Sequence, residues 1–90
     1  MAILKVEIVE AAGAVWSGKG KSVTATTKGG EIGILPRHEP VLSILDNGGK
    51  ARVILENGNV EHFDVSGGFL SVDGDVVTIV ADSAARLTDK

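Results

Sequence analysis

The sequence predicts an all-β chain, and three observations lead to that class. Val and Ile together supply 19 of the 90 residues and recur at alternate positions, the pattern of strands half buried on one face. Gly-rich breaks separate these runs, and helix signals are nearly absent before Ala81. Short strands at close spacing favour a sandwich or barrel. A chain of this length forms one domain and buries roughly 60 to 70% of the surface it exposes unfolded. Hydrophobic residues make up 43%, with two Phe and one Trp, so the core is expected to be aliphatic.

In chain order, the expected strands are Ile3 to Val9, Ser22 to Thr27, Ile32 to Leu35, Val41 to Leu45, Lys50 to Glu56, Val60 to Val65, Phe69 to Val72 and Asp75 to Val80. Between the first two, Gly13 to Gly20 reads as a Gly-rich connection, with Trp16 anchored over the core edge. Pro36 and Pro40 lack an N–H, so regular pairing should break between them and leave His38 on a constrained bend. At Asn57-Gly58, a three-residue loop over Asn57 to Asn59 aligns Val53 with Phe63, Ala51 with Val65 and Arg52 with Asp64. Asp73-Gly74 suits a two-residue type I′ turn that sets Leu70 opposite Val77. Over Ala81 to Leu87, Asp82 or Ser83 is positioned to cap at most one short helical turn.

Charge and composition exclude several functions. Residues 1 to 45 carry five Lys/Arg against four Asp/Glu, and residues 46 to 90 carry four against eight, giving +1 and −4. Neither half has the dense positive face that nucleic acid requires. With no Cys there are no disulfides, thiol nucleophiles or thiolate metal sites, a composition that suits a reducing compartment. Charged residues alternate with apolar ones at Leu4 to Ile8, unlike a signal peptide or a membrane span.

Gly13 to Gly20 approaches the phosphate-loop pattern, but Gly20 stands where the magnesium-binding hydroxyl belongs and a β-branched run follows in place of a helix. His38 and His62 lie far apart and have no Cys partners, so no metal site is expected. Acid pairs such as Asp73 and Asp75 flank a turn and do not face each other across a cleft. No catalytic constellation, cofactor or small-molecule substrate emerges. A lipoyl-type carrier, the alternative among small β-modules, presents a lysine at a hairpin tip, and neither expected tip carries one.

What remains is the corner at 29 to 45, GGEIGILPRHEPVLSIL, where a lone acid, a histidine and two prolines sit among apolar residues. Gly30, Glu31, Gly33, Ile34, Leu35, Pro36, His38, Pro40 and Leu42 follow the pattern of the N-terminal domain of F-type ATP synthase epsilon subunits, which the chain resembles. Ser66, Gly67, Gly68, Leu70 and Val72, then Val77, Thr78, Ala81 and Asp82, extend the resemblance, and Val6, Val9, Val15, Trp16 and Gly18 fit more loosely. It implies a flattened β-sandwich of about ten strands over residues 1–84. In that family a helical hairpin follows, beginning where residues 85–90 stand. For these 90 residues the resemblance implies neither an inhibitory insertion nor an ATP site.

The implied role is a non-catalytic rotor subunit that joins the gamma stalk to the membrane ring, peripheral to the cytoplasmic face of the membrane. Glu31 would face the ring's polar loops. Ile34, Pro36, Arg37, His38, Glu39, Val41 and Leu42 would lie at the joint with gamma and ring. Arg37 and Glu39 depart from the small Gly and Ala of the pattern and set an opposite-sign charge pair on the corner. An exposed ion pair contributes only about 0–1 kcal/mol, so apolar contact is expected to supply most of the grip and Val41→Asp to weaken it most.

Overall fold

The computed structural model describes residues 2–87 and is built of strands, with no helix among them. Nine strands follow in order: β1 (Leu4–Glu10), β2 (Gly13–Thr27), β3 (Gly30–Ile34), β4 (Val41–Ile44), β5 (Gly49–Leu55), β6 (Val60–Ser66), β7 (Phe69–Asp73), β8 (Val76–Ala81) and β9 (Ser83–Leu87). They pair in the path β4-β7-β8-β1-β2-β5-β6-β9, with β3 joined to β2 beside that path. β1 and β8 run parallel, and the other pairings are antiparallel. The architecture is that of the expected β-sandwich.

Alternation builds the core. Leu4, Val6 and Ile8 of β1 point inward, as do Val53, Phe63, Val65, Leu70, Val72, Val77 and Ile79, all at most 1% exposed. Each such side chain contributes about 1.5–3 kcal/mol by leaving water. Trp16 covers the core edge as expected, its ring 5.6 Å from that of Phe63 and tilted by 54°. Gly18 leaves room for that indole, since a β-carbon there would lie 2.7 Å from the ring.

The stretch from Gly13 to Gly20 is not a connection. It forms the first half of β2, paired with β1 from Gly13 to Gly20, while the second half pairs with β5 on one edge and β3 on the other. Gly20 permits the changeover: a β-carbon there would lie 2.8 Å from Val53 Cγ1 and 2.9 Å from the Ile54 carbonyl oxygen, and the register shifts just beyond it. Extended backbone across this stretch also removes any phosphate-loop geometry, which needs a helix N-terminus.

Both hairpin registers keep the expected faces but move the partners. Val72 pairs with Val77 and Leu70 with Ile79, so the two-residue turn is Gly74-Asp75, with φ of +58° and +64°, one place later than Asp73-Gly74. This register matches two fully buried pairs, whereas Leu70 opposite Val77 would have set Val72 against Asp75. In the β5–β6 hairpin Ala51 pairs with Phe63 and Ile54 with Val60. Its three-residue loop is Glu56 to Gly58, closed by the Leu55 N–H to Asn59 carbonyl bond of 2.8 Å. Lys50, not Arg52, therefore stands opposite Asp64 and meets it at 2.6 Å. Neither tip carries a lysine, so the lipoyl-type alternative finds no attachment point there.

The expected helical turn at Ala81 to Leu87 is replaced by strand. β9 closes the edge of β6, pairing Val65 with Ala84 and Phe63 with Arg86. One isolated turn is marginal, and the ladder outcompetes it. Arg86 clamps Glu61 through two hydrogen bonds, Nε to Oε1 at 2.9 Å and an amino group to Oε2 at 2.8 Å, and Ala84 N–H donates to Glu10 Oε1 at 2.9 Å. The sheet thus runs through Leu87, past the 84/85 boundary of the expected domain, and residues 88–90 of the expected tail lie outside the described residues.

Ser66-Gly67-Gly68 is the close backbone approach its composition suggests. A β-carbon at Gly68, where φ is +87°, would fall 1.9 Å from the Val80 carbonyl oxygen. Gly68→Ala is expected to destabilise the fold by at least ~2 kcal/mol. Gly33→Ala, where a β-carbon meets nothing within 4 Å, should stay within about 0.5 kcal/mol of wild type. Urea denaturation midpoints of the two variants check the contrast.

Candidate interaction surface

The corner begins at the β2–β3 hairpin. The Thr27 hydroxyl donates to the Gly30 carbonyl at 2.6 Å and accepts from Gly29 N–H at 3.2 Å, which fixes the turn and starts β3. Glu31, opposite Thr26, then points to solvent. Ile34 ends the strand with its side chain in the core, 1% exposed, so it offers nothing to a partner.

A tight elbow follows. The Leu35 carbonyl accepts from His38 N–H at 3.1 Å, with Pro36 and Arg37 at the central positions and Arg37 at φ +70°. Positive φ at the third of four residues, after Pro, is the signature of a type II turn, which glycine fits without steric cost. Here an arginine occupies it. The strained backbone is held: Arg37 N–H donates to Asp75 Oδ1 at 2.6 Å, and the Asp75 carbonyl accepts from Lys5 N–H at 2.9 Å. The elbow is thereby pinned to the β7–β8 turn and to β1.

His38 is half-buried, and its Nδ1–H donates to the Glu39 carbonyl at 2.7 Å. That bond satisfies one ring nitrogen within the loop. Arg37 and Glu39 do not pair with each other: the two ion pairs within 4 Å among the described residues are Lys50–Asp64 and Glu61–Arg86.

Beyond Pro40, β4 docks on β7 and alternates. Val41 is half-buried against the core, while Leu42 and Ile44 face outward at 66% and 53% exposure. Register carries the apolar surface onward, placing Ile44 beside Phe69, Phe69 beside Val80, and Val80 beside Val9. With Leu35 at 63% exposure at the elbow, this makes an apolar row bordered by a charged corner. Isolated exposed apolar residues are ordinary, but a cross-strand row is the kind of surface that meets a partner.

The expected residues therefore separate into three groups. Pro36, Arg37, His38 and Glu39 form the elbow with Leu42 exposed on β4 just beyond it, Ile34 and Val41 serve packing, and Glu31 stands apart. It lies at the far end of β3, roughly 13 Å along the strand from Leu35, on a face shared with Lys50, Arg52 and His62. Val41→Asp would consequently test stability before binding. Ile44, Phe69 and Val80 join this surface without a sequence expectation, while Leu35 and Asp75 stand out in the sequence only as a pattern match and a turn acid; the i, i+2 spacing of Leu42 and Ile44 is the one local signal of a common face. Among the described residues no group of three or more His, Asp or Glu is gathered as for a metal ion, and no buried side-chain polar atom lacks a partner.

Comparison with known proteins follows the same lines. Residues 3–87 match the family model for the ATP synthase delta/epsilon chain β-sandwich domain. The ATP synthase epsilon chain of Alkalilimnicola ehrlichii is 46% identical over 89 residues, covering 99% of this chain and 63% of the relative. That of Bordetella petrii is 39% identical, covering 99% and 62%. The chain thus spans just under two thirds of the length of these relatives. Among solved structures, a chain of the Euglena gracilis mitochondrial ATP synthase OSCP/F1/c-ring assembly superposes with a TM-score of 0.87 at 26% identity, covering 96% of this chain and 54% of that one. A chain from the Tetrahymena thermophila mitochondrial ATP synthase central stalk/c-ring shares the fold, with a TM-score of 0.69 at 16% identity, covering 90% and 64%.

Removing the Asp75 acceptor tests whether the elbow depends on it. Asp75→Ala should cost about 1–2 kcal/mol, through the lost hydrogen bond and alanine's poorer tolerance of the left-handed φ that aspartate adopts here. Asp75→Asn keeps an acceptor and tolerates that φ, so it should cost less than half as much. Guanidinium denaturation of both variants is the measurement.

Proposed function

Since the chain belongs to the ATP synthase delta/epsilon β-sandwich family, with residues 3–87 matched, we propose that it serves as a non-catalytic rotor element, joining the gamma stalk to the membrane ring. The observation that carries this reading is the apolar row from Leu42 and Ile44 through Phe69 to Val80, set on a rigid sandwich and flanked by the pinned elbow. Such a surface can adhere, and among the described residues no group of three or more His, Asp or Glu is gathered as for a metal ion. The Euglena relative sits in an assembly that contains F1 and the c-ring, which supports partners of that kind here.

On this reading the row packs against gamma, Arg37, His38 and Glu39 lie at the junction, and Glu31 reaches polar loops of the ring from its own face. The mechanism is mechanical. A stiff sheet transmits torque without slipping because its outward residues are fixed by the same alternation that packs the core. The domain is held at the cytoplasmic face of the membrane through the complex; no helix among the described residues is long and apolar enough to cross a bilayer.

Leu42→Asp should reduce retention on an immobilised gamma–ring subcomplex by about tenfold or more, since it places a charge in an apolar contact, with the melting temperature unchanged because Leu42 is 66% exposed. Glu31→Lys should weaken retention by less than about fivefold, as for a rim charge. Wild-type retention of both Leu42→Asp and Ile44→Asp would remove the proposal.

A further inference from the structure

Arg37 occupies a backbone position that glycine fills without cost, at φ +70°, so its side chain is carried there against local backbone strain. The surrounding structure tolerates the strain through the Arg37 N–H to Asp75 Oδ1 bond, but that bond uses only the main chain and would form equally with glycine. The guanidinium itself is exposed and is in no ion pair among the described residues. Strained positions persist where the side chain they present is used.

We propose that Arg37 is a specificity-determining contact that pairs with a carboxylate on a protein partner, at the tip of the elbow and next to the exposed Leu35. This rests on the interaction surface proposed above and assigns the charge it selects. A planar guanidinium donates two parallel hydrogen bonds to a carboxylate. The alternative anion, a lipid phosphate surface, suits the elbow poorly: Glu39, Asp73 and Asp75 outnumber the two cations Arg37 and Lys5 there, so the local charge is net negative and an extended anionic bilayer is repelled. One isolated carboxylate can reach the arginine where an extended negative surface cannot.

The test compares wild type with Arg37→Gly, Arg37→Lys and Leu42→Asp by thermal melting and by binding to the immobilised gamma–ring subcomplex at about 50 and 300 mM salt. Arg37→Gly should melt about 4–8 °C higher yet bind about three- to tenfold more weakly at low salt. The difference should shrink at high salt, and Arg37→Lys should fall between. Wild-type or tighter binding by Arg37→Gly would overturn the proposal, as would a loss undiminished by salt or an Arg37-dependent attachment to phosphatidylglycerol vesicles. If Leu42→Asp loses binding while Arg37→Gly does not, only this contact fails; if neither loses binding, the broader reading fails with it.

Discussion

One long strand holds the architecture together. β2 gives its first half to β1 and its second half to β5 and β3, so the elements on both sides of the core hang from a single run of backbone. That run must turn without breaking its ladder, and Gly20 lets it do so by bringing backbone against Val53 and Ile54 where any β-carbon would collide. The buried faces of β1, β5 and β6 meet because β2 sets their separation. Trp16, notched against Gly18 and tilted over Phe63, then closes the core edge from the same strand.

Period-two alternation made the faces legible in advance, and the limits of that signal are visible at both hairpins. Shifting a register by two leaves every side chain on its own face, so alternation alone cannot choose between Val72 opposite Val77 and Val72 opposite Asp75. The choice came from matching buried pairs and from which residues tolerate positive φ, here Gly74 and Asp75. The Gly-rich opening of β2 hid a strand because glycine is a weak strand former wherever packing does not require it. Conversely, Ala-Ala-Arg-Leu near the C-terminus has helical propensity but joins β6, where an open edge and the Glu61 clamp are available. Neither competitor is visible locally.

The interaction surface was partly legible for similar reasons. The stretch from 29 to 45 stood out by chemistry; Pro36, Arg37 and His38 form the elbow, and Leu42 stands exposed on β4 just beyond it. Ile34 and Val41 turned inward because burial follows the parity of a strand's docking, which depends on β2 and β7. Phe69 and Val80 joined the surface through cross-strand neighbours far away in sequence. The cost of Arg37 was invisible until its φ was known, since only backbone geometry distinguishes a tolerated arginine from a strained one.

On the proposed rotor reading, stiffness and adhesion are two uses of one alternating pattern: inward residues make the slab rigid, and outward residues on β4, β7 and β8 are the ones that would adhere. Transferred cross-saturation NMR on the labelled chain, with the gamma–ring subcomplex irradiated, tests this most directly. The account predicts that amides of Leu35, Arg37, His38, Leu42 to Ile44 and Phe69 to Ser71 lose intensity, with a smaller separate effect at Glu31. Attenuation concentrated instead on β5, β6 and β9, with the β4–β7 face silent, would contradict it.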